Sequence, residues 1–139
     1  KVYQLKKRPD KKAMIVLVAD ERDILQYVAS PDLALFDYLQ EATKPTTVIY
    51  EGAIGLADNL VNNDGSIAIR ICNEPFCKHL IKRFRKPIVS TSANISGELT
   101  ARIFADINDQ IKTGVDDKTI VAPSAVIKWN NGHLAIIRP

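Results

Sequence analysis

The sequence predicts an α/β (α+β) fold in which helices flank a twisted, mixed β-sheet with a ligand groove on one face. Strand-like apolar runs alternate with amphipathic helical segments as far as residue 90, and Asn131-Gly132 is a strong hairpin signal near the end of the chain. The 139 residues are 46% hydrophobic and 25% charged, a composition typical of a soluble domain with a proper core. We therefore predict a single domain over residues 1–139.

Two apolar patterns mark the strands. Residues 13–18 are continuously apolar, as in a central strand covered on both faces, whereas residues 66–71 alternate between Ile and small or polar side chains. Residues 46–50 are rich in β-branched and aromatic side chains, which favour strands. Further strands are predicted at residues 88–89, 119–122, 125–129 and 133–137.

Capping and proline signals mark the helices. Asp20 precedes Glu21 and Asp23, and such acids suit the positive end of a helix dipole; Pro31 follows Ser30 in a first helical position. A third helix is predicted from residue 73, with these apolar side chains facing inward: Phe76, Leu80, Ile81 and Phe84. Other helical segments are predicted at residues 1–6, 56–61 and 105–112.

The formal charge is 19 − 16 = +3, and the basic side chains concentrate at residues 1–12 and 78–86. Such clusters attract anionic partners. No apolar run reaches the length of a membrane span and no signal peptide is recognisable, so we expect a cytoplasmic protein without a membrane partner. Cys72 and Cys77 have no zinc-ligand spacing around them and are expected to be reduced thiols.

Residues 86–97 change from an apolar strand into a run of hydroxyl and amide side chains. Ile88 and Val89 are followed by Ser90-Thr91-Ser92-Ala93-Asn94-Ile95-Ser96-Gly97. Ser, Thr and Asn offer short donors and acceptors to a ligand, and Gly allows a close backbone approach. The same residue types are common in ordinary turns, so the residues alone leave both interpretations open.

This stretch resembles the signature of the YrdC-like family, the threonylcarbamoyl-AMP synthases. The family's second motif, Lys-x-Arg-Pro, has a counterpart at Lys6-Lys7-Arg8-Pro9. The strand at residues 66–70, the pair Pro123-Ser124 and the closing Ile137-Arg138-Pro139 follow in the family's order, so the resemblance spans residues 1–139. Relative to the family, we expect the N-terminal strand and a Thr-rich loop to be missing.

The resemblance implies an L-threonylcarbamoyladenylate synthase. Such an enzyme forms threonylcarbamoyl-AMP from L-threonine, bicarbonate and ATP with release of pyrophosphate. The product feeds the tRNA threonylcarbamoyl transferase machinery. ATP is then a substrate, and Mg²⁺ would be bound mostly by its phosphates. This reaction needs alignment and charge neutralisation more than proton transfer, which suits a site made of Lys, Arg, Ser and Asn.

The resemblance also implies which residues bind each substrate, and it assigns neither a catalytic side chain nor a metal ligand. On the threonine side the implied residues are Arg70, Ser90 and Ser124. On the ATP side they are Lys6, Arg8, Lys12, Ser66, Ser92, Asn94, Thr100 and Arg138. Where the family has Pro-Gly-Pro-x-Thr, this chain keeps only Pro45-Thr46-Thr47, so the role of the two threonines stays open.

Three other interpretations remain. The basic clusters are compatible with a module that binds double-stranded RNA or tRNA through phosphates without catalysis. A related domain in hydrogenase-maturation proteins carries out a different carbamoyl transfer, with carbamoyl phosphate as substrate. The chain is also compatible with a catalytically silent member of the family. Steep salt dependence without a nucleotide requirement would favour RNA binding.

Overall fold

A computed structural model describes the chain at residues 2–7, 14–92, 94–97, 124–130 and 132–139. The chain divides into two compact units. We call the first, Lys1–Lys12 with Thr91–Pro123, the signature unit, and the second, Ala13–Ser90 with Ser124–Pro139, the sheet unit. The single domain over residues 1–139 stays a prediction.

The sheet unit contains one six-stranded sheet with the strand order β4-β1-β3-β2-β5-β6. Its strands are β1 (Ile15–Val18), β2 (Thr46–Tyr50), β3 (Ile67–Ile71), β4 (Ile88–Ser90), β5 (Ala125–Asn130) and β6 (His133–Arg138). Strand β1 is parallel to β3 and β2 is parallel to β5, whereas the other three pairs are antiparallel. The predicted mixed sheet with helices is confirmed.

The two faces of the sheet pack against different helices. Helices α2 (Glu21–Ile24) and α3 (Ala34–Glu41) supply Ile24, Leu35 and Phe36 to the larger core on one face. The strands contribute Val16, Val48, Ile67, Ile69 and Ile127 to that core, all 2% exposed or less. On the other face, helix α4 (Pro75–Phe84) packs its Ile81 into a smaller cluster with Leu17, Ala19 and Cys72. Within the described ranges this second cluster contains 4 buried residues, against 11 in the larger core.

Two helices are shorter than predicted. The sequence predicts Ile24, Tyr27 and Val28 as the apolar stripe of the helix that follows Asp20, but α2 ends at Ile24 and Val28 forms a β-bridge with Ala53. Helix α3 begins at Ala34 and not near Pro31. The Asp32 carboxylate accepts from the Ala34 backbone N–H at 3.0 Å, and the Asp32 carbonyl accepts from the Leu35 N–H at 3.2 Å, so the first hydrogen bonds of this segment go to Asp32.

The prediction that the apolar side chains of α4 all face inward is wrong for three of them. Phe76, Leu80 and Phe84 are 72%, 46% and 56% exposed, whereas Ile81 is buried. The apolar side chains of this helix extend around more of its circumference than the small cluster contacts. Only the side of the helix that carries Ile81 packs against the sheet. The Glu74 carboxylate caps the helix by accepting from the backbone N–H groups of residues 76 and 77, at 3.1 and 2.7 Å.

The hairpin predicted at Asn131-Gly132 joins β5 to β6, with Asn130 opposite His133 and Gly132 at φ of 77°. A glycine accepts this positive φ without strain. In the signature unit, helix α1 covers Val2–Leu5, within the predicted 1–6. The segments predicted at 105–112 and 119–122 lie outside the described residues. No helix in the described ranges is long and apolar enough to cross a membrane.

Candidate functional site

One row of cross-strand partners runs across the whole sheet and contains two of the three arginines that were predicted to bind substrate. The successive partners, one from each strand, are Ile88, Leu17, Arg70, Thr47, Val126 and Arg138. Paired residues in a sheet project from the same face. Arg70 and Arg138 therefore lie on one face, with Thr47 between them, and it is the face that α4 only partly covers.

The Arg70 side chain lies across strand β1 towards β4. Its Nη2 atom is 3.5 Å from Ser90 Oγ, although β1 separates the two strands. Burial lowers the pKa of Arg70, and the positive charge of Arg138 lowers it further. No ion pair between Arg70 and an acidic side chain is present in the described ranges. A half-buried cation in this situation favours an anionic ligand, which would restore the interactions that the guanidinium loses with water.

Ser124 connects Arg138 to Thr47. Its carbonyl oxygen accepts hydrogen bonds from Arg138 Nε at 2.9 Å and Nη2 at 2.7 Å, and Nη2 is also 3.4 Å from Ser124 Oγ. The Ser124 and Thr47 hydroxyl oxygens are 2.9 Å apart, and either can donate. Both residues are buried, with 5% and 0% of their surfaces exposed. We call Arg70, Thr47, Ser90, Ser124 and Arg138 the sheet-face cluster.

Ser66, predicted on the ATP side, lies just before β3, at the end of the strand away from Arg70. Its hydroxyl donates to Asp64 Oδ1 at 2.6 Å and accepts from Asn62 Nδ2 at 3.0 Å. Hydrogen bonds from the Ser66 hydroxyl and backbone N–H lower the pKa of Asp64. Four residues along a strand correspond to roughly 13 Å, so the Ser66 hydroxyl belongs to a local turn and not to the sheet-face cluster.

Within the signature unit, Lys6 holds the loop that follows residue 90. Lys6 is only 3% exposed, and its ammonium donates to the Ser92 carbonyl oxygen and lies 3.5 Å from Asn94 Oδ1. The Ser92 hydroxyl also bonds Asn94 Oδ1, and the Ser96 N–H donates to the Lys6 carbonyl at 2.9 Å. The structure thus brings together three predicted ATP-side residues, Lys6, Ser92 and Asn94. Three further residues predicted on the ATP side, Arg8, Lys12 and Thr100, lie outside the described residues.

Thr47 belongs to the cluster but was given no role by sequence reasoning. The pattern of residues 46–50 shows a strand without showing which strand pairs with it. Thr47 is identified as a member of the cluster by the strand register, because it is the direct cross-strand partner of Arg70 between β2 and β3. That register depends on pairing between segments 23 residues apart, which no local motif records.

Comparisons with known proteins identify the family of this chain. The sequence model of the Sua5/YciO/YrdC family, described as telomere recombination, matches residues 1–139. The chain belongs to the Sua5/YciO/YrdC family. Among curated Sua5/YciO/YrdC relatives, the threonylcarbamoyl-AMP synthase of Idiomarina loihiensis is 31% identical over 119 residues, which cover 84% of this chain and 64% of that protein. The threonylcarbamoyl-AMP synthase of Serratia proteamaculans is 32% identical over 112 residues, 76% of this chain and 58% of that protein.

Solved structures of Sua5 proteins have the same fold. The crystal structure of P. abyssi Sua5 complexed with L-threonine matches 99% of this chain and 43% of that protein with a TM-score of 0.82 at 16% identity. This likeness establishes the fold alone. The chain spans less than two thirds of the length of each of these two curated relatives.

Proposed function

We propose that the chain acts in the synthesis of threonylcarbamoyl-AMP, a cytoplasmic nucleotidyl transfer that supplies tRNA modification. The amine of L-threonine reacts with bicarbonate to give a carbamate and water. A carbamate oxygen then attacks the α-phosphorus of ATP, the bond to the bridging oxygen of pyrophosphate breaks, and pyrophosphate leaves with the electron pair. The names of the curated relatives support this reaction.

The observation that carries the proposal is the half-buried Arg70 guanidinium, which lies beside hydroxyls and has no acidic partner in the described ranges. We assign it to the carboxylate of L-threonine, because a planar guanidinium can form two parallel hydrogen bonds to a carboxylate. Ser90, 3.5 Å from its Nη2 atom, would provide a second polar contact. Arg70 then fixes the substrate by one end and leaves the amine free to react.

The ATP contacts are assigned to the signature unit. The ammonium of Lys6 fixes the backbone at Ser92 and the side chain of Asn94, so that loop is held in one conformation before a nucleotide arrives. Arg8, Lys12 and Thr100 are kept as proposed ATP ligands. The described ranges contain no group of three or more His, Cys, Asp or Glu side chains placed to hold a metal. Mg²⁺ would therefore arrive with the ATP phosphates.

The decisive experiment measures pyrophosphate release from ATP by the purified chain. We expect release to require both L-threonine and bicarbonate. L-Threonine methyl ester, which lacks the carboxylate charge, should not replace threonine, because it gives Arg70 no anion to bind. Pyrophosphate release that is independent of threonine, or equally fast with the ester, would show that the proposal is wrong.

Binding of tRNA or double-stranded RNA is a second candidate, favoured by the basic end of α4. Lys82, Arg85 and Lys86 are all exposed there, and Lys82 also forms an ion pair with Asp20 at 3.4 Å. Phosphate contacts release counterions, so the logarithm of the binding constant should fall linearly with the logarithm of salt concentration. RNA binding that is unaffected by ATP, together with absent pyrophosphate release, would favour this candidate over the synthase.

A further inference from the structure

A cavity of about 340 Å³ lies beside the larger core, away from the sheet-face cluster. Its wall combines the loop that precedes α3 with the ends of β2 and β5. Side chains alternate between the two faces of a strand, so Tyr50, three residues after Thr47 on β2, projects from the face opposite to the cluster. Trp129 of β5 packs against the same core. Cavities of this volume hold small molecules, and this one is separate from the candidate threonine site.

The wall of this cavity includes a tyrosine whose hydroxyl lacks a hydrogen bond. Tyr50 is 5% exposed, and its buried hydroxyl has no hydrogen-bond partner in the described ranges. Burial raises the pKa of Tyr50, so the hydroxyl stays protonated at neutral pH and can both donate and accept. Buried polar groups are nearly always paired. A ligand with an uncharged polar group would supply the partner that this hydroxyl lacks.

The charges around the cavity indicate the sign of the ligand. The described part of the wall carries two charged side chains, and both are carboxylates, Asp32 and Glu51. Glu51 is neutralised by an ion pair with Lys128 at 3.4 Å. Asp32 has no cationic partner in the described ranges, and its Oδ2 atom accepts from Trp129 Nε1 at 2.8 Å. The indole ring, whose face attracts cations, is thus held next to an uncompensated carboxylate, so this wall favours a cation.

We propose that the cavity binds a small aliphatic ammonium compound that also carries an uncharged polar group, of which an amino alcohol is the simplest. The ammonium group pairs with Asp32 beside the Trp129 ring, and the ligand hydroxyl forms a hydrogen bond with that of Tyr50. The apolar chain between them contacts Val28 and Leu35, which line the same cavity and are 3% and 1% exposed. This proposal does not depend on the proposed function.

The first test uses the emission of Trp129, the single tryptophan of the chain, as the signal of binding. The probe is 4-amino-1-butanol, compared with n-butylamine, which lacks the hydroxyl, and 1,4-butanediol, which lacks the charge. We expect saturable binding of the amino alcohol, with a Kd about tenfold lower than that of the diol. Asp32→Asn should abolish this difference, whereas Asp37→Asn, at an exposed position on α3, should preserve it. Absence of saturable binding, or equal affinity for the diol, would overturn the proposal.

The second test removes one oxygen atom from the wall. In Tyr50→Phe we expect the affinity for 4-amino-1-butanol to fall about fivefold, to that of n-butylamine, because the hydrogen bond is lost. The ligand-free variant should unfold at the same Tm or a higher one, since the hydroxyl has no partner to lose. The matched control is Tyr38→Phe, whose ring lies 6.3 Å from that of Trp129 and should leave both measurements unchanged. A clear drop in Tm for Tyr50→Phe, or a retained preference for the amino alcohol, would overturn the proposal.

Discussion

Replacing Arg70 tests the candidate threonine site most directly. Arg70→Ala removes the only guanidinium that we assign to the substrate carboxylate. Charge-assisted hydrogen bonds contribute about 1.5–3 kcal/mol each, so the Kd for L-threonine should rise roughly ten- to a hundredfold.

Removing the charge of Arg70 should not weaken the fold. Arg70 is half-buried, burial and the charge of Arg138 lower its pKa, and it forms no ion pair in the described ranges. Its charge is thus a cost to the ligand-free protein. We expect Arg70→Met, which keeps most of the side-chain volume, to leave Tm unchanged or to raise it, as often happens when a functional polar group is replaced.

The assay is isothermal titration calorimetry with L-threonine, accompanied by thermal unfolding followed by circular dichroism. Arg83→Ala is the matched control, since Arg83 is exposed on α4 and should affect neither measurement. Threonine affinity within twofold of that of the unmodified chain in Arg70→Ala would refute the carboxylate assignment. A large drop in Tm for Arg70→Met would refute the view that the charge is kept for binding.

Three further predictions concern other parts of the molecule. Lys6→Ala should weaken ATP binding about tenfold and leave threonine binding unchanged in calorimetry, because it releases the loop at Ser92; equal losses for both would contradict it. Ile67→Ala, at a fully buried position, should lower the free energy of unfolding in urea by about 2–5 kcal/mol, whereas Ile136→Ala, at a 64% exposed position, should lower it far less. Burial raises the pKa of the Cys77 thiol to about 11, so its alkylation by iodoacetamide should keep rising above about pH 10, where an ordinary thiol is already mostly ionised; a plateau at about pH 10 would contradict this. Because the folded pKa lies above the ordinary thiol value, this group stabilises the fold at neutral pH, and its contribution is lost as the pH rises towards 11.

The strands could be predicted well from sequence because their side chains carry a local pattern. The continuous apolar run of β1 and the alternation of β3 each determine which side chains are buried, and the structure agrees for Val16, Ile67 and Ile69. The helix boundaries were harder to predict from the sequence. Pro31 is typical of a first helical position, yet α3 starts three residues later, at Ala34, where Asp32 accepts from the Ala34 N–H.

The candidate site was only partly predictable for a similar reason. Residue types and motif order pointed to Arg70 and Ser124, because these positions match a family pattern. The role of Thr47 follows from strand register, and the bond between Lys6 and Ser92 joins residues 86 positions apart in sequence. Such contacts depend on tertiary structure. For α4, helical periodicity showed which side chains are apolar on one side of the helix, but not which of them another element covers.

The exposed side of α4 affects how unfolding can be followed. Phe76, Leu80 and Phe84 recur at every fourth residue and form a continuous apolar ridge on the surface of the native molecule. Dyes such as ANS fluoresce on exposed apolar surface, which is normally taken as a sign of loosened packing. The folded chain itself offers such a surface, so a high initial dye signal is compatible with a fully native sample of it.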